Sequence, residues 1–323
     1  MQQRSRFSFH DLKPAAGCFL HEVIAGLSRP QKEINPKYFY DARGSALFEA
    51  ICTLPEYYPT RIEIELMREH GREMVHCLAP GCTIIEYGSG SGRKTRMLIE
   101  GARPAAYLAI DIAEAQLKAA AATLADAFPD VAIAAVCADY TSAFAMPQFA
   151  SGTSSRRAIF FPGSTIGNFT VAEAKSFLRL ARTQAGAGGA MLVGVDLKKD
   201  VAILDAAYND SQGITAEFNL NLLARINREL DADFDVSAFR HHAFYDADLG
   251  RIEMHLVSSR EQKVAVGGRV FSFRAGETIH TENSHKYSVA EFQALARDAG
   301  FAPERCWVDP ANLFSVHYLS VPD

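Results

Sequence analysis

Short apolar segments alternate with helix-forming segments between residues 82 and 196, and this alternation constrains the fold more than any other feature of the sequence. The apolar segments, at residues 82–87, 106–112, 131–139, 157–162 and 189–196, have the lengths of strands. Strands that are apolar on both faces are typical of a parallel sheet covered by helices on each side. The sequence therefore predicts an α/β domain built around five parallel strands.

The alternation stops after Asp196 and resumes near Ser288. Residues 197–230 have a helical pattern, and residues 239–285 contain strand-like segments separated by turn residues, as in antiparallel hairpins. A helix from Ser288 to Ala299 and strands near 304–309 and 314–320 then complete the α/β pattern. We therefore predict an α/β domain of residues 61–196 and 286–323, and an inserted α+β domain of residues 1–60 and 197–285.

Residues 1–60 are predicted to be helical with aromatic loops. Pro55 and Pro59 bracket an aromatic turn, and a long helix is predicted to run from there to about Leu78. Thr60 is a suitable N-cap for this helix, and Glu63 three residues later is its expected capping-box partner.

Composition narrows the class of partner. The 323-residue chain is 48% hydrophobic and carries a formal net charge of −5, which argues against nucleic acid or an anionic membrane as partner. Its six cysteines form no C-x-x-C pair, and its ten histidines show no two ligands one helical turn apart with an acid. We therefore expect a cytoplasmic monomer that binds no metal and acts on a small molecule.

A glycine-rich segment follows the first predicted strand. It runs from Glu86 to Gly92 with glycine at positions 88, 90 and 92, and a helix is predicted next. Glycine lets the backbone adopt positive φ and approach a ligand without a Cβ in the way, so this segment is typical of a nucleoside site. Asp111 ends the second strand, where an acid can accept hydrogen bonds from ribose hydroxyls.

The choice of cofactor depends on residues outside the glycines. Asp139 and Tyr140 end the third strand, where a carboxylate can bind the adenine amino group and an aromatic ring can stack on the base. The dinucleotide fingerprint requires Gly-x-Gly-x-x-Gly, whereas position 93 is arginine. These features favour S-adenosylmethionine (SAM) over NAD. Lys94 has two interpretations: it binds the methionine carboxylate of SAM, or it only occupies the first helical turn.

Asn168 lies in the segment Gly163–Phe169, directly after the fourth predicted strand. In doubly wound sheets the carboxyl ends of the strands face the ligand crevice. The residues alone leave two interpretations of equal weight. Asn168 meets the methyl acceptor there, or it is a turn asparagine that satisfies its own backbone.

A set of longer motifs is more specific than the glycine loop. Through them the chain resembles the histidine-specific SAM-dependent methyltransferases of ergothioneine biosynthesis over nearly its whole length. The motifs are Tyr40–Phe48, Leu54–Arg61, Glu86–Arg96, Gly163–Phe169, Ala207–Asp210 and Thr281–Tyr287. The chain departs from the family pattern at Tyr87, where an aliphatic residue is commoner, and at Tyr140, where phenylalanine is.

The resemblance implies a Rossmann-like class I methyltransferase domain with an inserted substrate-binding domain. It also implies Nα-trimethylation of L-histidine, through its mono- and dimethyl forms, to the betaine hercynine. The residues that would bind SAM are Gly88, Lys94, Asp111, Asp139 and Tyr140. Asn168 and Tyr208 would hold the α-amino and carboxylate groups, Tyr58 would lie near the amine, and Glu282 and Ser284 would bind the imidazole. Tyr40 and Met254 would complete the wall.

These residue types suit in-line methyl transfer, which depends mainly on holding the amine, methyl and sulfur in line. Asn168 and Tyr58 can orient an unprotonated amine without a strong base, and aromatic rings tolerate the growing trimethylammonium charge. The residues alone favour Glu282 as a solvated loop acid, and only the resemblance reverses that interpretation. Two rivals remain: the same chemistry on another aromatic amino acid or amine such as tryptophan, which offers Glu282 one N–H and no second polar nitrogen, and a catalytically silent SAM-binding module.

Overall fold

The computed structural model describes residues 7–12, 18–90, 92–141, 146–147 and 156–322. These residues form two compact units. The first contains the described parts of Met1–Lys13, Pro59–Lys198 and Lys286–Asp323, and the second contains those of Pro14–Tyr58 and Lys199–His285. Compared with the ranges expected from sequence, the main difference is that the first strand of the chain belongs to the first unit.

The first unit is an α/β structure around one eight-stranded sheet. Its strands are β1 (Phe7–Asp11), β3 (Thr83–Tyr87), β4 (Ala106–Asp111), β5 (Ala132–Cys137), β6 (Arg157–Phe161), β7 (Ala190–Asp196), β13 (Ala302–Val308) and β14 (Phe314–Ser320). Its helices are α3 (Tyr58–Cys77), α4 (Arg93–Ala102), α5 (Glu114–Ala127), α6 (Val171–Ala185) and α9 (Val289–Asp298), with a 3₁₀ helix at Thr165–Asn168. The predicted α/β domain with parallel strands is confirmed.

The order of the strands is β1-β5-β4-β3-β6-β7-β14-β13. All neighbours from β1 to β7 are parallel, whereas β14 is antiparallel to both β7 and β13. Strand order reverses between β3 and β6, so the segments that follow these two strands emerge side by side. Ligands of doubly wound sheets bind at such a switch point. The glycine loop follows β3, and the Asn168 segment follows β6.

The ends of the insertion are bonded to each other within the first unit. Leu197 and Tyr287 form a parallel bridge, and the Tyr287 N–H donates to the Asp196 carbonyl at 3.2 Å. The Lys286 ammonium lies 2.7 Å from the Asp196 carboxylate, and both side chains are 1% exposed. Loss of either partner would leave the other charge buried and uncompensated, which strongly destabilises a protein. The ion pair therefore fixes the place where the insertion leaves and rejoins the sheet.

Two predictions for the N-terminal region are wrong. Residues 7–11 form a strand, β1, because their backbone pairs in parallel with β5. The long helix α3 begins at Tyr58, so Thr60 lies inside it and is not its N-cap. The carboxylate of Glu63 is bonded to Gly163 and Lys94, and it forms no capping box.

The second unit combines helices with a four-stranded sheet of order β2-β12-β9-β8 and a separate β10–β11 hairpin. The strands are β2 (Lys32–Glu33), β8 (Phe239–Asp246), β9 (Arg251–Ser258), β10 (Gln262–Val266), β11 (Arg269–Phe273) and β12 (Thr278–His285). The helices are α1 (Cys18–Leu27), α2 (Ala42–Ile51), α7 (Val201–Tyr208) and α8 (Ile214–Leu230), with 3₁₀ helices at Pro36–Phe39 and Val236–Ala238. Helices α7 and α8 pack on β8 and β9.

Strand β12 is an interior strand, paired in parallel with β2 and antiparallel with β9. Glu282 and Ser284 therefore lie on a strand and not in a solvated loop. A bulge between His280 and Glu282 shifts the register, and beyond it Glu282 faces Met254 across the ladder. Such a cross-strand pair points to one face of the sheet.

None of the helices within the described residues is both long enough and apolar enough to span a membrane.

The imidazole of His317 on β14 is fully buried in the first unit, 4.8 Å from the Phe292 ring and 3.0 Å from the Ser315 hydroxyl. Burial disfavours the charged ring and lowers the pKa of His317 from 6.5 to about 4. Because the unfolded chain binds the proton at higher pH than the folded protein, stability is retained above pH 6.5 and lost as the pH falls toward 4. The loss amounts to about 3 kcal/mol.

The variant His317→Gln removes this titration. We expect it to be less stable than the parent at pH 7, because it disturbs a packed site, but to lose less stability between pH 6.5 and 4.5. Thermal unfolding across this range measures the difference. Parallel pH profiles for the two proteins would contradict the assignment.

Candidate functional site

The glycine loop of the first unit joins β3 to α4. Gly88, Gly90 and Gly92 have φ values of 70°, 48° and 71°, a region that residues with a Cβ rarely occupy. A Cβ at Gly90 would meet nothing within 4 Å, and one at Gly88 would approach only the Tyr140 hydroxyl, at 3.9 Å. The loop therefore presents open backbone, as a nucleoside ligand requires. Ser91 lies outside the described residues.

Asp111 ends β4 and ties the loop to the sheet. Its carboxylate accepts the Ala113 N–H at 2.9 Å, and the Gly90 N–H lies 3.4 Å from its other oxygen. Burial raises the pKa of Asp111, and the backbone N–H groups of Ala113 and Gly90 oppose that rise. The carboxylate is thus held at the carboxyl end of β4, where the sequence predicts a ribose contact.

Asp139 and Tyr140 follow the neighbouring strand β5. Asp139 Oδ1 accepts hydrogen bonds from the Thr141 N–H at 3.0 Å and the Thr141 hydroxyl at 2.5 Å, which fix the carboxylate in a local turn. The Tyr140 ring packs 5.5 Å from the ring of Tyr87. Both departures from the family pattern, at 87 and 140, therefore lie in one aromatic cluster beneath the loop.

The Ser89 hydroxyl is buried in the loop and has no hydrogen-bond partner within the described residues. A buried unpaired hydroxyl costs about 1–3 kcal/mol, and a polar ligand would remove that cost. Open backbone, an unpaired hydroxyl and two acids on adjacent strands together fit SAM. The residues that would hold it are Gly88, Asp111, Asp139 and Tyr140.

Lys94 lies in the first turn of α4, but its ammonium does not point into solvent. It donates to Glu63 Oε2 at 2.6 Å, and the same carboxylate accepts the Gly163 N–H at 2.8 Å. Glu63 is 1% exposed. Sequence reasoning missed this contact because Glu63, Lys94 and Gly163 are far apart in the chain.

Asn168 ends the 3₁₀ helix that follows β6 and is half-buried. The segment starts with Ser164 at φ 60°, and the Ser164 hydroxyl accepts the Asp196 N–H at 2.9 Å. Asn168 is therefore presented by a segment fixed at both β6 and β7, at the carboxyl edge of the sheet.

A second cluster lies within the second unit, around the end of α7. The Tyr208 hydroxyl donates to the Ser284 hydroxyl on β12 at 2.8 Å, and both side chains are buried. Glu282 lies two residues before Ser284 on the same strand, opposite Met254. The structure thus brings together Tyr208, Met254, Glu282 and Ser284, which the sequence assigned to one substrate.

Tyr57 also belongs to this cluster, and it was not predicted from the sequence. The Tyr57 ring lies 6.3 Å from the Tyr208 ring in an edge-on arrangement. Burial, followed by the charges of Tyr208 and Glu282 among its neighbours, raises the pKa of Tyr57 well above its usual value. Tyr58 contacts Lys199, whose ammonium donates to the Tyr58 hydroxyl and lies 4.0 Å from the ring centroid.

Further aromatic rings continue the cluster away from Ser284. Phe48 packs edge-on against Tyr57 at 6.3 Å and against Tyr40 at 5.7 Å, and Phe218 lies 6.0 Å from both Phe48 and Tyr40. Tyr40, predicted as a wall residue, is therefore joined to the polar residues through Phe48 and Tyr57.

One group in the described chain places three potential metal ligands, those of Glu253, His255 and His280, within 4.8 Å of one another. The histidine pattern predicted no metal site, because these residues come from two strands. Both Glu253 oxygens are already bonded, one to Arg251 and the other to His255 Nε2 at 2.8 Å. The His255 and His280 rings stack at 4.7 Å, so their in-plane lone pairs do not converge. We assign no metal to this group.

The strand order, the three-glycine loop and the acids of β4 and β5 define the first unit as a Rossmann-like domain of the class I methyltransferase type. A family model described as "Histidine-specific methyltransferase, SAM-dependent" matches residues 19–321. The chain belongs to this family, so the resemblance is confirmed, and SAM rather than NAD is the cofactor.

Relatives of known name support the same assignment. The chain is 39% identical over 308 residues to "Histidine N-alpha-methyltransferase" of Mycolicibacterium smegmatis, covering 94% of each chain. It is 40% identical to the protein of the same name from Mycobacterium tuberculosis, covering 91% of this chain and 92% of the relative. "Ergothioneine biosynthesis protein 1" of Neurospora crassa is 30% identical over 99% of this chain, which spans 37% of that protein.

Glu86, at the root of the glycine loop, is 1% exposed and accepts hydrogen bonds from the hydroxyls of Thr95 at 2.6 Å and Tyr107 at 2.5 Å. Burial raises the pKa of Glu86 to about 8, and the two hydroxyls offset only part of that rise. The folded protein therefore keeps the proton that the unfolded chain loses near pH 4.5. Stability is therefore lost as the pH rises from 4.5 to about 8, by an amount on the order of 5 kcal/mol.

Glu86→Gln supplies a neutral side chain of the same shape that does not titrate. We expect the variant to gain stability relative to the parent as the pH is raised from 5 to 8, with no further gain above about 9. Urea unfolding at fixed pH values measures the difference. A constant difference across the range would show that Glu86 is ionised in the folded protein at neutral pH.

Proposed function

We propose that this protein is a SAM-dependent L-histidine Nα-methyltransferase that converts histidine through its mono- and dimethyl forms to hercynine. Its two mycobacterial relatives at 39% and 40% identity are both named as histidine N-alpha-methyltransferases. The single structural observation that carries the substrate assignment is the polar cluster of Tyr208, Glu282 and Ser284 on one face of the second unit.

The cluster suits an imidazole. A neutral imidazole offers one N–H donor and one bare nitrogen, so a carboxylate acceptor and a hydroxyl donor complement it. Glu282 would accept the N–H, and the hydroxyl of Ser284 would bond the second nitrogen. An indole has no second polar nitrogen, and buried polar groups left unpaired by the wrong substrate give strong discrimination against it.

The residues near the amine are proposed to orient it, not to deprotonate it. The raised pKa of Tyr57 keeps its phenol neutral at physiological pH, so it can donate or accept a hydrogen bond but cannot act as a base. A carboxylate against the amine would favour the protonated, unreactive form. The rings of Tyr40, Phe48 and Tyr57 can stabilise a quaternary ammonium by about 0.5–1 kcal/mol each.

SAM supplies a methyl group on a sulfonium whose departing thioether is neutral and requires no acid. Gly88, Lys94, Asp111, Asp139 and Tyr140 are proposed to bind it. Asn168 and Tyr208 are proposed to hold the α-amino and carboxylate groups of the acceptor. Tyr58 and Tyr40 are proposed to line the same pocket. Tyr57 is proposed as a further pocket residue, because its ring packs against that of Tyr208.

The setting of the reaction is also a proposal. All six cysteines are free thiols, as expected of a protein from a reducing compartment, which supports a cytoplasmic location. The net charge of −5 supports a small-molecule substrate over nucleic acid or an anionic membrane. We propose a monomer that works without metal.

We expect purified protein and SAM to convert histidine to its trimethylated betaine. Mass spectrometry after incubation with each of the twenty amino acids, and with mono- and dimethylhistidine, tests this. Faster turnover of tryptophan than of histidine would favour the rival substrate. Binding of SAM without turnover of any amino acid would indicate that the protein is a catalytically silent SAM-binding module.

Ser284→Ala tests the imidazole contact. Loss of one hydrogen bond in a buried cluster should lower kcat/KM for histidine by about 10–100-fold and leave KM for SAM within about twofold. Ser272→Ala, at an exposed serine of the same unit, is the matched control and should be silent. A Ser284→Ala enzyme with parental kcat/KM for histidine would remove Ser284 from the site.

A further inference from the structure

Glu63 is a buried carboxylate for which neither the cofactor motifs nor the substrate motifs provide a role. It lies in the second turn of α3, is 1% exposed, and is followed by the exposed Glu65 on the same helix. A carboxylate removed from water in this way is retained only where specific donors replace its hydration. Its donors therefore indicate what it does.

The two donors come from two different parts of the cofactor unit. The Lys94 ammonium in α4 donates to Oε2 at 2.6 Å. The Gly163 N–H, directly after β6, lies 2.8 Å from Oε2 and 3.1 Å from Oε1. One carboxylate thus holds both the lysine proposed to bind SAM and the first turn of the segment that presents Asn168.

The surroundings leave the carboxylate no alternative position. Gly194 on β7 lies directly behind it, and a Cβ at Gly194 would come within 2.2 Å of Glu63 Oε1 and 3.0 Å of the Phe314 ring. At Gly163, which has φ 82°, a Cβ would meet the Lys94 ammonium at 3.5 Å. The contact is therefore built from a close-packed set of groups in which each donor fixes the next.

We propose that Glu63 is a positioning residue that acts through Lys94 on SAM binding and through Gly163 on the Asn168 segment. This inference rests on the proposed function, because it takes Lys94 as a ligand of the SAM carboxylate. Glu63 itself touches neither substrate. It holds the Lys94 ammonium in one place, so that less conformational entropy is lost when SAM binds.

Glu63→Gln separates the two contacts. An amide oxygen in place of Oε2 can still accept both the Gly163 N–H and the Lys94 ammonium, but it carries no charge, so the bond to the charged lysine is weakened far more than the bond to the neutral backbone N–H. Lys94 is held less firmly while the Asn168 segment stays fixed. Glu63→Ala removes both contacts and leaves the Lys94 charge without this partner.

We expect Glu63→Gln to weaken SAM binding about tenfold, the effect of losing one charge-assisted hydrogen bond, with kcat and KM for histidine within about threefold of the parent. Glu63→Ala should weaken SAM binding and also lower kcat by about tenfold or more. Glu65→Gln, two residues along the same helix, is the matched control and should change neither quantity. If Glu63→Ala does not fold, the Glu63→Gln result alone decides.

A double-mutant cycle with Lys94→Met separates positioning from a general loss of stability. If Glu63 acts through Lys94, adding Glu63→Gln to Lys94→Met should not weaken SAM binding further. Additive losses, or a Glu63→Gln protein that binds SAM as tightly as the parent, would overturn the proposal.

Calorimetric titration with S-adenosylhomocysteine gives the same cycle without turnover. It therefore distinguishes the failure of this inference from the failure of the proposed histidine activity. A protein that methylates no histidine but shows the expected coupling would retain the role of Glu63. A protein that methylates histidine without the coupling would lose it.

Discussion

The buried ion pair between Asp196 and Lys286 makes the rest of the architecture possible. An α/β sheet can carry a large insertion only if the chain returns to the place it left, and here both crossings are tied by this pair and by the Leu197–Tyr287 bridge. Asp196 also donates its N–H to Ser164, at the start of the Asn168 segment. The contact that closes the insertion is therefore continuous with the contact that shapes the Asn168 segment.

Charge is handled differently at three buried acids of the cofactor unit. Asp196 has a lysine and Glu63 has a lysine plus a backbone donor, whereas Glu86 has only hydroxyls and takes up a proton instead. The glycine loop therefore follows a protonated, neutral Glu86, and the carboxylate nearest to the loop is that of Asp111. This arrangement keeps negative charge at the strand ends, where ribose hydroxyls can use it, and away from the core beneath the loop.

Most of the fold could be predicted from sequence, because strands apolar on both faces leave a strong local signal. The five predicted strands between residues 82 and 196 lie within two residues of β3 to β7. Two of the failures involve partners distant in sequence. Strand β1 owes its conformation to β5, and the role of Glu63 depends on Gly163, one hundred residues later.

The candidate site shows the same limit. The sequence pattern does not show what each of two adjacent tyrosines contacts, because tertiary packing decides it. In the structure Tyr57 packs against Tyr208, and Tyr58 is hydrogen-bonded to Lys199. Glu282 is likewise ambiguous until the pairing of β12 with β9 places it opposite Met254. Motifs therefore identified the family and the cofactor, whereas long-range contacts decide what each side chain of a motif packs against.

The position of β14 has a consequence for how the protein is made. This strand lies between β7 and β13, so β7, which carries Asp196 at its end, has an open edge until residues 314–320 are available. During synthesis on the ribosome, strands β1 to β7 can pair early. The long apolar edge of β7 then stays unpaired until more than one hundred further residues have been made. An open apolar edge is prone to pair with other chains. The nascent chain is therefore most exposed to aggregation after the glycine loop and the Asn168 segment have been translated and before β14 has been.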